Sequence, residues 1–214
     1  MAPNLPAPEA LARLREGNAR FAANVISIDS LARVLRRDDL ARQQQPFAIV
    51  LGCSDSRAPA ELVFDQGLGD LFVIRVAGNV VSPSQVGSVE FAAERFGTRL
   101  VVVMGHTHCG AVTATLEAIE AGSSHASANV MFIVDRVRSA VESVREAAPG
   151  QDRETMLRAA VRANVRVAAD HLRHGSPLLE RLIEKEGLLV VGAEYDVERG
   201  VVEFFDAPLK RPSP

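Results

Sequence analysis

Two short motifs hold most of the residues that could do chemistry. Cys53, Asp55 and Arg57 stand in the run CSDSR, and His106 and Cys109 stand in the run HTHC. Two cysteines and a histidine match the ligand sets of catalytic zinc sites, which keep a fourth coordination position open. The first cysteine and the histidine are 53 positions apart, whereas zinc fingers use closely spaced ligand pairs. The sequence therefore predicts a metal held on a scaffold that is already folded.

A carboxylate and a guanidinium two residues apart form the second part of this predicted site. Asp55 can accept a hydrogen bond from metal-bound water or bind the metal itself, and Arg57 can hold that carboxylate through two parallel bonds. Such a pair would orient a metal hydroxide as the nucleophile. Because two thiolates cancel the charge of Zn²⁺, we expect the water to be less acidified than in a three-histidine site. Activity should then rise on the alkaline side of neutrality.

Each of these residues also has a purely structural interpretation. A lone cysteine is often a small buried hydrophobic residue, Asp55 could cap a helix, and Arg57 could be a surface charge. The combination with His106 at strand ends favours the metal site. His108 is the less favoured ligand, because a loop or partner contact suits its position beside Cys109 better.

Short apolar runs predict strands that are buried on both faces of a mainly parallel sheet. Four such runs cover 47–52, 71–76, 100–104 and 188–191, and a final strand at 201–205 should pair antiparallel at an edge. Helices are predicted at 8–24, 30–44, 84–97, 110–121, 131–148, 154–174 and 177–186. This alternation is typical of an α/β fold with right-handed crossovers. Sites in such sheets lie beyond the carboxyl ends of the strands, so both motifs should meet at one edge.

Composition and charge exclude several classes of protein. The chain has 214 residues, of which 47% are hydrophobic and 24% charged, and this excludes a disordered chain. A net charge of −3 argues against a nucleic-acid partner. We find no run long enough to span a membrane and no secretory signal, so a cytoplasmic location is expected. We expect one domain over 1–214, with an N-terminal helical arm at 1–45 and a zinc-binding α/β core at 46–206.

Taken together, these motifs resemble those of the β-class carbonic anhydrases. The similarity includes the CxDxR motif at Cys53, the HxxC motif at His106 and the blocks GDLFVIRVAGN, GHTHCGAV and GAEYD, over about residues 40–205. The resemblance implies one Zn²⁺ per chain, bound by Cys53, His106 and Cys109, and the reversible hydration of CO₂ to bicarbonate and a proton. Asp55 and Arg57 would be the catalytic dyad, with Asp55 as a fourth zinc ligand in a closed, inactive state.

The resemblance also implies a homo-oligomer with a cleft at the dimer interface. The family forms dimers, often paired into tetramers, whose N-terminal helices wrap the neighbouring subunit, which would give the 8–24 helix a surface to pack on. Substrate-facing positions of plant-type members match Gln44, Phe72 and Phe91, and Gly110 could offer its backbone N–H to an anion. An ordinary helix-end residue is the alternative at Gln44, because neighbouring glutamines leave the register open.

One feature of a family subgroup is incomplete in this sequence. That subgroup binds bicarbonate at a second, inhibitory site through a tryptophan three residues before the first cysteine. Val50 occupies this position and the chain has no tryptophan, although Arg75 and Tyr195 match other positions of that site. We therefore expect the plant-like type, which is constitutively open.

Three other functions are compatible with the same residues. The scaffold could hydrolyse carbonyl sulfide or carbon disulfide, which are small linear molecules like CO₂. A non-catalytic zinc protein could bind anions or partners, but it would not need Asp55 and Arg57. Nucleophilic catalysis by Cys53 with His106 would need a free thiolate, which tightly bound zinc would exclude.

Overall fold

The computed structural model describes residues 4–28, 41, 44–122 and 126–206. Its sheet contains β1 (Ala48–Gly52), β2 (Leu71–Arg75), β3 (Leu100–His106), β4 (Leu189–Tyr195) and β5 (Val202–Asp206). The strand order is β2-β1-β3-β4-β5; the first four strands are parallel, and β5 pairs antiparallel with β4. The predicted fold, four parallel strands with an antiparallel edge strand, is therefore confirmed.

Helices cover both faces of this sheet. Within the described ranges they are α1 (Ala7–Ala22), α2 (Ala60–Val63), α3 (Pro83–Arg95), α4 (Gly110–Ala121), α5 (Ala128–Ala147), α6 (Arg153–His174) and α7 (Pro177–Lys185). The short α2 and a 3₁₀ turn at Ala77–Asn79 were not predicted. Most of the helix predicted at 30–44 lies outside the described residues. No helix in the described part of the chain has the length and apolar character needed to cross a bilayer.

Alternate residues of the central strands pack into different apolar layers. Val50 and Val102 belong to a core cluster that includes the buried face of α1, whereas Ile49 and Val101 face a second cluster with residues of α6 and α7. Every residue of β1 and β3 is buried. A strand covered on both faces must be apolar throughout, and this explains the continuous hydrophobic runs of the sequence. The central strands are thus a rigid base for the loops that follow them.

The first helix packs on its own chain. Ala10 and Leu14 are fully buried in the core cluster of this face. A Cβ atom at Gly17 would lie only 1.9 Å from the Phe64 carbonyl oxygen, so glycine is needed for this close approach. This corrects the expectation that the helix lacks a packing surface unless a neighbouring subunit supplies one. Wrapping around a neighbour stays a prediction.

Hydrogen bonds from one asparagine join this helix to the rest of the fold. The Asn18 amide nitrogen donates to the carbonyls of Val63, at 3.1 Å, and Gly200, at 2.9 Å. Its amide oxygen accepts the backbone N–H of Val202 at 2.8 Å. Asn18 is 5% exposed, so these bonds satisfy a buried polar group. They link the first helix of the chain to its last strand.

Candidate metal centre

The three predicted metal ligands meet at the carboxyl ends of two neighbouring strands. Cys53 directly follows β1, His106 is the last residue of β3, and Cys109 is the residue before α4. Their ligand atoms all lie within 4.8 Å of one another, and all three side chains are buried. The parallel pairing of β1 with β3 therefore brings together residues that are far apart in the chain.

The His106 ring is oriented as a metal ligand would be. Its Nδ1 lies 2.9 Å from the Thr107 carbonyl oxygen, and a ligating histidine commonly donates its second ring N–H in this way. Its Nε2 is buried and has no hydrogen-bond partner among the described residues. Such a group is costly to bury unless something binds it. Two sulfurs and this unpartnered nitrogen therefore fit a zinc ion.

The two sulfur atoms lie close together within an apolar cluster of the core. The backbone N–H of Gly78 donates to Cys53 Sγ at 3.3 Å. The adjacent Cys109 thiol lowers the pKa of Cys53, although burial opposes this shift. The same contact raises the pKa of the Cys109 thiol. A metal would bind both sulfurs as thiolates, so its binding would release protons.

The buried histidine experiences two opposing effects. Burial would lower the pKa of His106, but Cys53, the Thr107 carbonyl and the Asp55 charge together outweigh it, and the pKa is raised. A cation is therefore favoured at the point where the ring faces the sulfurs. A bound metal ion would satisfy the same attraction with its own charge.

Asp55 and Arg57 form a doubly bonded pair beside this cluster. Arg57 Nε and Nη2 donate to the two carboxylate oxygens of Asp55, each at 2.9 Å. The same Nη2 donates to the His108 carbonyl at 3.3 Å. The hydrogen bond from Arg57 holds the pKa of Asp55 well below its usual range. Asp55 Oδ2 lies 3.8 Å from His106 Nε2, so this charged carboxylate borders the ligand atoms.

Comparison with known proteins agrees with this fold and this set of residues. The family model described as carbonic anhydrase matches residues 48–202. The solved structure of a β-carbonic anhydrase from Aspergillus fumigatus aligns with a TM-score of 0.74 and 27% identity, covering 94% of this chain and 91% of that one. The chain belongs to the β-class carbonic anhydrase family. It is therefore an enzyme, and the reaction of its family is the hydration of CO₂.

Two further comparisons show the extent of the similarity to other carbonic anhydrases. The carbonic anhydrase of Mycolicibacterium smegmatis is 38% identical over 201 residues, which is 94% of each chain. A structure from Sordaria macrospora, described as one of two tetrameric β-carbonic anhydrases, has a TM-score of 0.72 at 20% identity, covering 94% of this chain and all of that one. The second similarity is one of fold.

The other predicted site residues lie apart from the metal ligands of their own chain, except for Gly110. Phe72 pairs with Ile49 near the start of β1, and Phe91 lies on α3. Gln44 is exposed, before the amino end of β1. Gly110 is the first residue of α4, adjacent to Cys109, and a Cβ there would meet nothing within 4 Å. The space beside Gly110 could admit an anion.

Phe72 and Phe91 belong to an aromatic cluster that no sequence pattern indicated. Their ring centroids are 6.3 Å apart, and Phe96 lies 6.1 Å from Phe72 and 5.8 Å from Phe91. Phe91 is 54% exposed, whereas Phe72 and Phe96 are half-buried. The cluster is therefore only partly covered by its own chain.

Two residues near the metal ligands were missed as parts of the site. The backbone of Gly78 faces Cys53, and its φ of 67° is a left-handed conformation that favours glycine. Arg75 donates hydrogen bonds to the backbone beside Cys53. Backbone donors have no residue-type signal, and only the glycine itself could have indicated this turn.

Proposed function

We propose that the chain hydrates CO₂ with one zinc ion, held by Cys53, His106 and Cys109 and assisted by Asp55 and Arg57. The convergence of two buried sulfurs and an unpartnered ring nitrogen carries this proposal. Thiolate and imidazole ligands favour zinc over Mg²⁺ and Ca²⁺, which prefer oxygen. Zinc held there would supply the Lewis acidity that makes water a nucleophile near neutral pH.

Asp55 has the position and the charge to orient the attacking water. Its carboxylate borders the ligand atoms, and the low pKa leaves it ionised over the whole working range. An ionised carboxylate only accepts hydrogen bonds, so it fixes the direction of one water O–H bond. A water held in this way would direct a lone pair at the carbon of CO₂, and the proton that it loses would pass to solvent to leave bicarbonate.

Arg57 and the metal ion compete for the same carboxylate. Arg57 engages both oxygens of Asp55 in nearly ideal geometry, and this keeps Asp55 from acting as a fourth ligand. The pairing supports our inference that the enzyme belongs to the open, plant-like type. The closed state would require Asp55 to leave Arg57, with the loss of two charge-assisted hydrogen bonds.

The exposed aromatic cluster supports a homo-oligomer as the working form. We infer a dimer or tetramer in which Gln44, Phe72 and Phe91 face the substrate in a neighbouring subunit's cleft, because the same chain holds these rings apart from its own metal ligands. Gly110 would offer its N–H to bicarbonate. The tetrameric Sordaria macrospora relative has the same fold. A single domain and a cytoplasmic location stay predictions.

Two neighbouring histidines allow a matched test of the metal site. His106→Ala should lose both zinc and CO₂ hydration. His108→Asn should keep both, because the His108 ring is exposed and lies 3.3 Å from Glu198, and asparagine tolerates the left-handed φ of 56° at this position. Zinc content is measured by atomic absorption, and turnover by stopped-flow with an indicator dye between pH 6.5 and 9. Wild-type protein should hold about one zinc per chain, with a rate that rises with pH. Zinc retained by the His106 variant would contradict the proposal.

A further inference from the structure

Arg75 spans the backbone of two residues of the metal site. It is the last residue of β2 and pairs with Gly52, the last residue of β1. Its Nε donates to the Cys53 carbonyl at 3.1 Å, and its Nη2 donates to the Asp55 carbonyl at 2.6 Å. One guanidinium therefore holds both the residue that supplies a metal thiolate and the residue that supplies the carboxylate.

The segment that Arg75 holds lies beyond the sheet. The pairing of β1 with β2 ends at Gly52. Just beyond the end of β2, the backbone N–H of Val76 donates to the Gly52 carbonyl at 3.1 Å. Cys53 and Asp55 come next, where the regular ladder no longer fixes the backbone. Carbonyl groups at such a position need other partners. Arg75 supplies one to the Cys53 carbonyl and is a second donor to the Asp55 carbonyl, which also accepts the backbone N–H of Ala58 at 3.1 Å.

We propose that Arg75 is a positioning residue for the metal site, an inference that rests on the function proposed above. Its planar, forked guanidinium presents donors at fixed angles, so the two carbonyls keep a constant spacing. The relative positions of Cys53 Sγ and the Asp55 carboxylate follow from that spacing. Displacements of about 1 Å at such a site reduce rates by as much as 100-fold.

This role differs from the one that the family resemblance suggests for Arg75. The position matches an inhibitory bicarbonate site, but two of its donors here bind carbonyls of its own chain. Val50 is buried in the core in place of the tryptophan of that site. Tyr195 is only 4% exposed and packs against Phe21. These contacts favour a structural link to the metal loop over an anion ligand.

Arg99 provides a matched control for the substitution of Arg75. Its Nη1 donates to the carbonyls of Ala93, at 2.7 Å, and Thr98, at 3.3 Å. It therefore also holds two backbone carbonyls, but it precedes β3, at the end of the sheet away from the metal ligands. Arg99→Ala removes the same kind of bond, together with an ion pair to Glu186 at 2.7 Å, without touching the metal loop.

The test compares full-length wild type, R75A, R75K and R99A after zinc is replaced by Co²⁺. Visible spectra report the sulfur-to-cobalt charge-transfer and ligand-field bands, and competition with a chelator reports metal affinity. We expect R75A to shift the ligand-field bands, to weaken metal binding by about 10–100-fold, and to lower kcat of the zinc enzyme with little change in KM. R75K should be intermediate, since one ammonium cannot span both carbonyls. R99A should match wild type.

Several results would overturn the inference in distinguishable ways. R75A with wild-type spectrum, affinity and kcat would show that Arg75 does not position the site. A change confined to inhibition by bicarbonate would assign it to an anion site instead. Uptake of no Co²⁺ by wild type would overturn the proposed function, and this inference with it. If R75A does not fold by circular dichroism, R75K is compared with R99A, and a wild-type spectrum and affinity for R75K are then the contradicting result.

Discussion

Two carboxylates of this chain, Asp55 and Glu194, lie near arginines but differ in burial and in hydrogen bonding. Asp55 lies at the open edge of the sheet and receives two bonds of 2.9 Å from Arg57. Glu194, on β4 beneath α6, is 3% exposed. Its nearest arginine nitrogens lie 3.6 Å away, on Arg162, and 3.9 Å away, on Arg158. Those distances exceed normal hydrogen bonds, and Glu194 Oε1 has no partner within the described structure.

The difference shows that burial and hydrogen-bond geometry, and not only the number of nearby arginines, determine the direction in which the pKa of a carboxylate shifts. The hydrogen bond from Arg57 lowers the pKa of Asp55. Burial raises the pKa of Glu194, and Arg162 and Arg158 offset that effect only in part. Ionisation is therefore favoured at Asp55, which is hydrogen-bonded and only partly buried, and opposed at Glu194, which is buried and lies 3.6 Å or more from its arginines. A carboxylate that must stay ionised for catalysis needs an environment like that of Asp55.

The largest expected effect comes from neutralising each carboxylate in turn. Asp55→Asn should reduce the rate of CO₂ hydration by about 100-fold or more, because the amide can donate to the water instead of only accepting from it. Zinc should stay bound, since its three ligands are untouched. Glu194→Gln should leave the rate unchanged. Stopped-flow rates are measured for both variants on protein of known zinc content. Equal losses of rate in the two variants would contradict the expected difference between Asp55 and Glu194.

A smaller effect should follow from replacing the arginine of each pair by lysine. Arg57→Lys loses the two parallel bonds, since an ammonium is a point donor, and Asp55 can then turn away from the water. We expect kcat to fall by about tenfold and the pKa of Asp55 to rise toward its ordinary value. Arg162→Lys should keep the wild-type kcat, because the Arg162 guanidinium pairs with Glu203 and Glu194 and not with Asp55. An unchanged kcat in Arg57→Lys would contradict the dyad.

The smallest effect concerns stability as a function of pH. Because the pKa of Glu194 is higher in the folded state than in the unfolded one, stability is retained below the unfolded pKa and is lost as pH rises through the folded pKa. Glu194→Gln should therefore melt higher than wild type near pH 8, by about 2–4 °C for each 1 kcal/mol gained. The advantage should shrink as the pH falls toward 4.

Glu203→Gln is a control for that measurement, because its expected change in melting temperature has the opposite sign. The hydrogen bond from Arg162 lowers the pKa of Glu203, so its contribution is present above the unfolded pKa and is lost as pH falls. Glu203 is largely exposed, and solvent screening keeps that contribution small. Glu203→Gln should lower the melting temperature slightly near pH 8. Thermal scans at several pH values that show the same sign for both variants would contradict the assignment.

The metal ligands could be predicted from sequence because residue type and position both point to them. Cys53 and His106 follow apolar runs whose parallel pairing places them at one edge, and few other side chains bind zinc. β3 continues two residues beyond the predicted end at Met104, because its pairing with β4 persists up to His106 and Tyr195. The pattern of apolar residues ends before the hydrogen-bonded ladder does.

Other parts of the fold and site depend on contacts that no local sequence pattern indicates. Arg75 resembles any charged residue at a strand end until its distances to two carbonyls are known. The buried carboxylate of Glu194 lies in a motif that matches the family, and its burial depends on α6. The relation of Phe72 to the metal ligands requires the register of β1 and β2. Pairwise geometry of this kind emerges only when the elements pack.

The three hydrogen bonds of Asn18 also bear on the order in which the chain can assemble. Two of them use backbone groups of Gly200 and Val202, which are 182 and 184 positions further along the chain. The ribosome therefore completes α1 long before these partners exist. The apolar face of α1 can pack as soon as β1, α2 and β3 have been made, because its partners in the core cluster lie there. The buried amide of Asn18, in contrast, lacks two of its three partners until synthesis has passed residue 202. Contacts of such sequence separation slow folding.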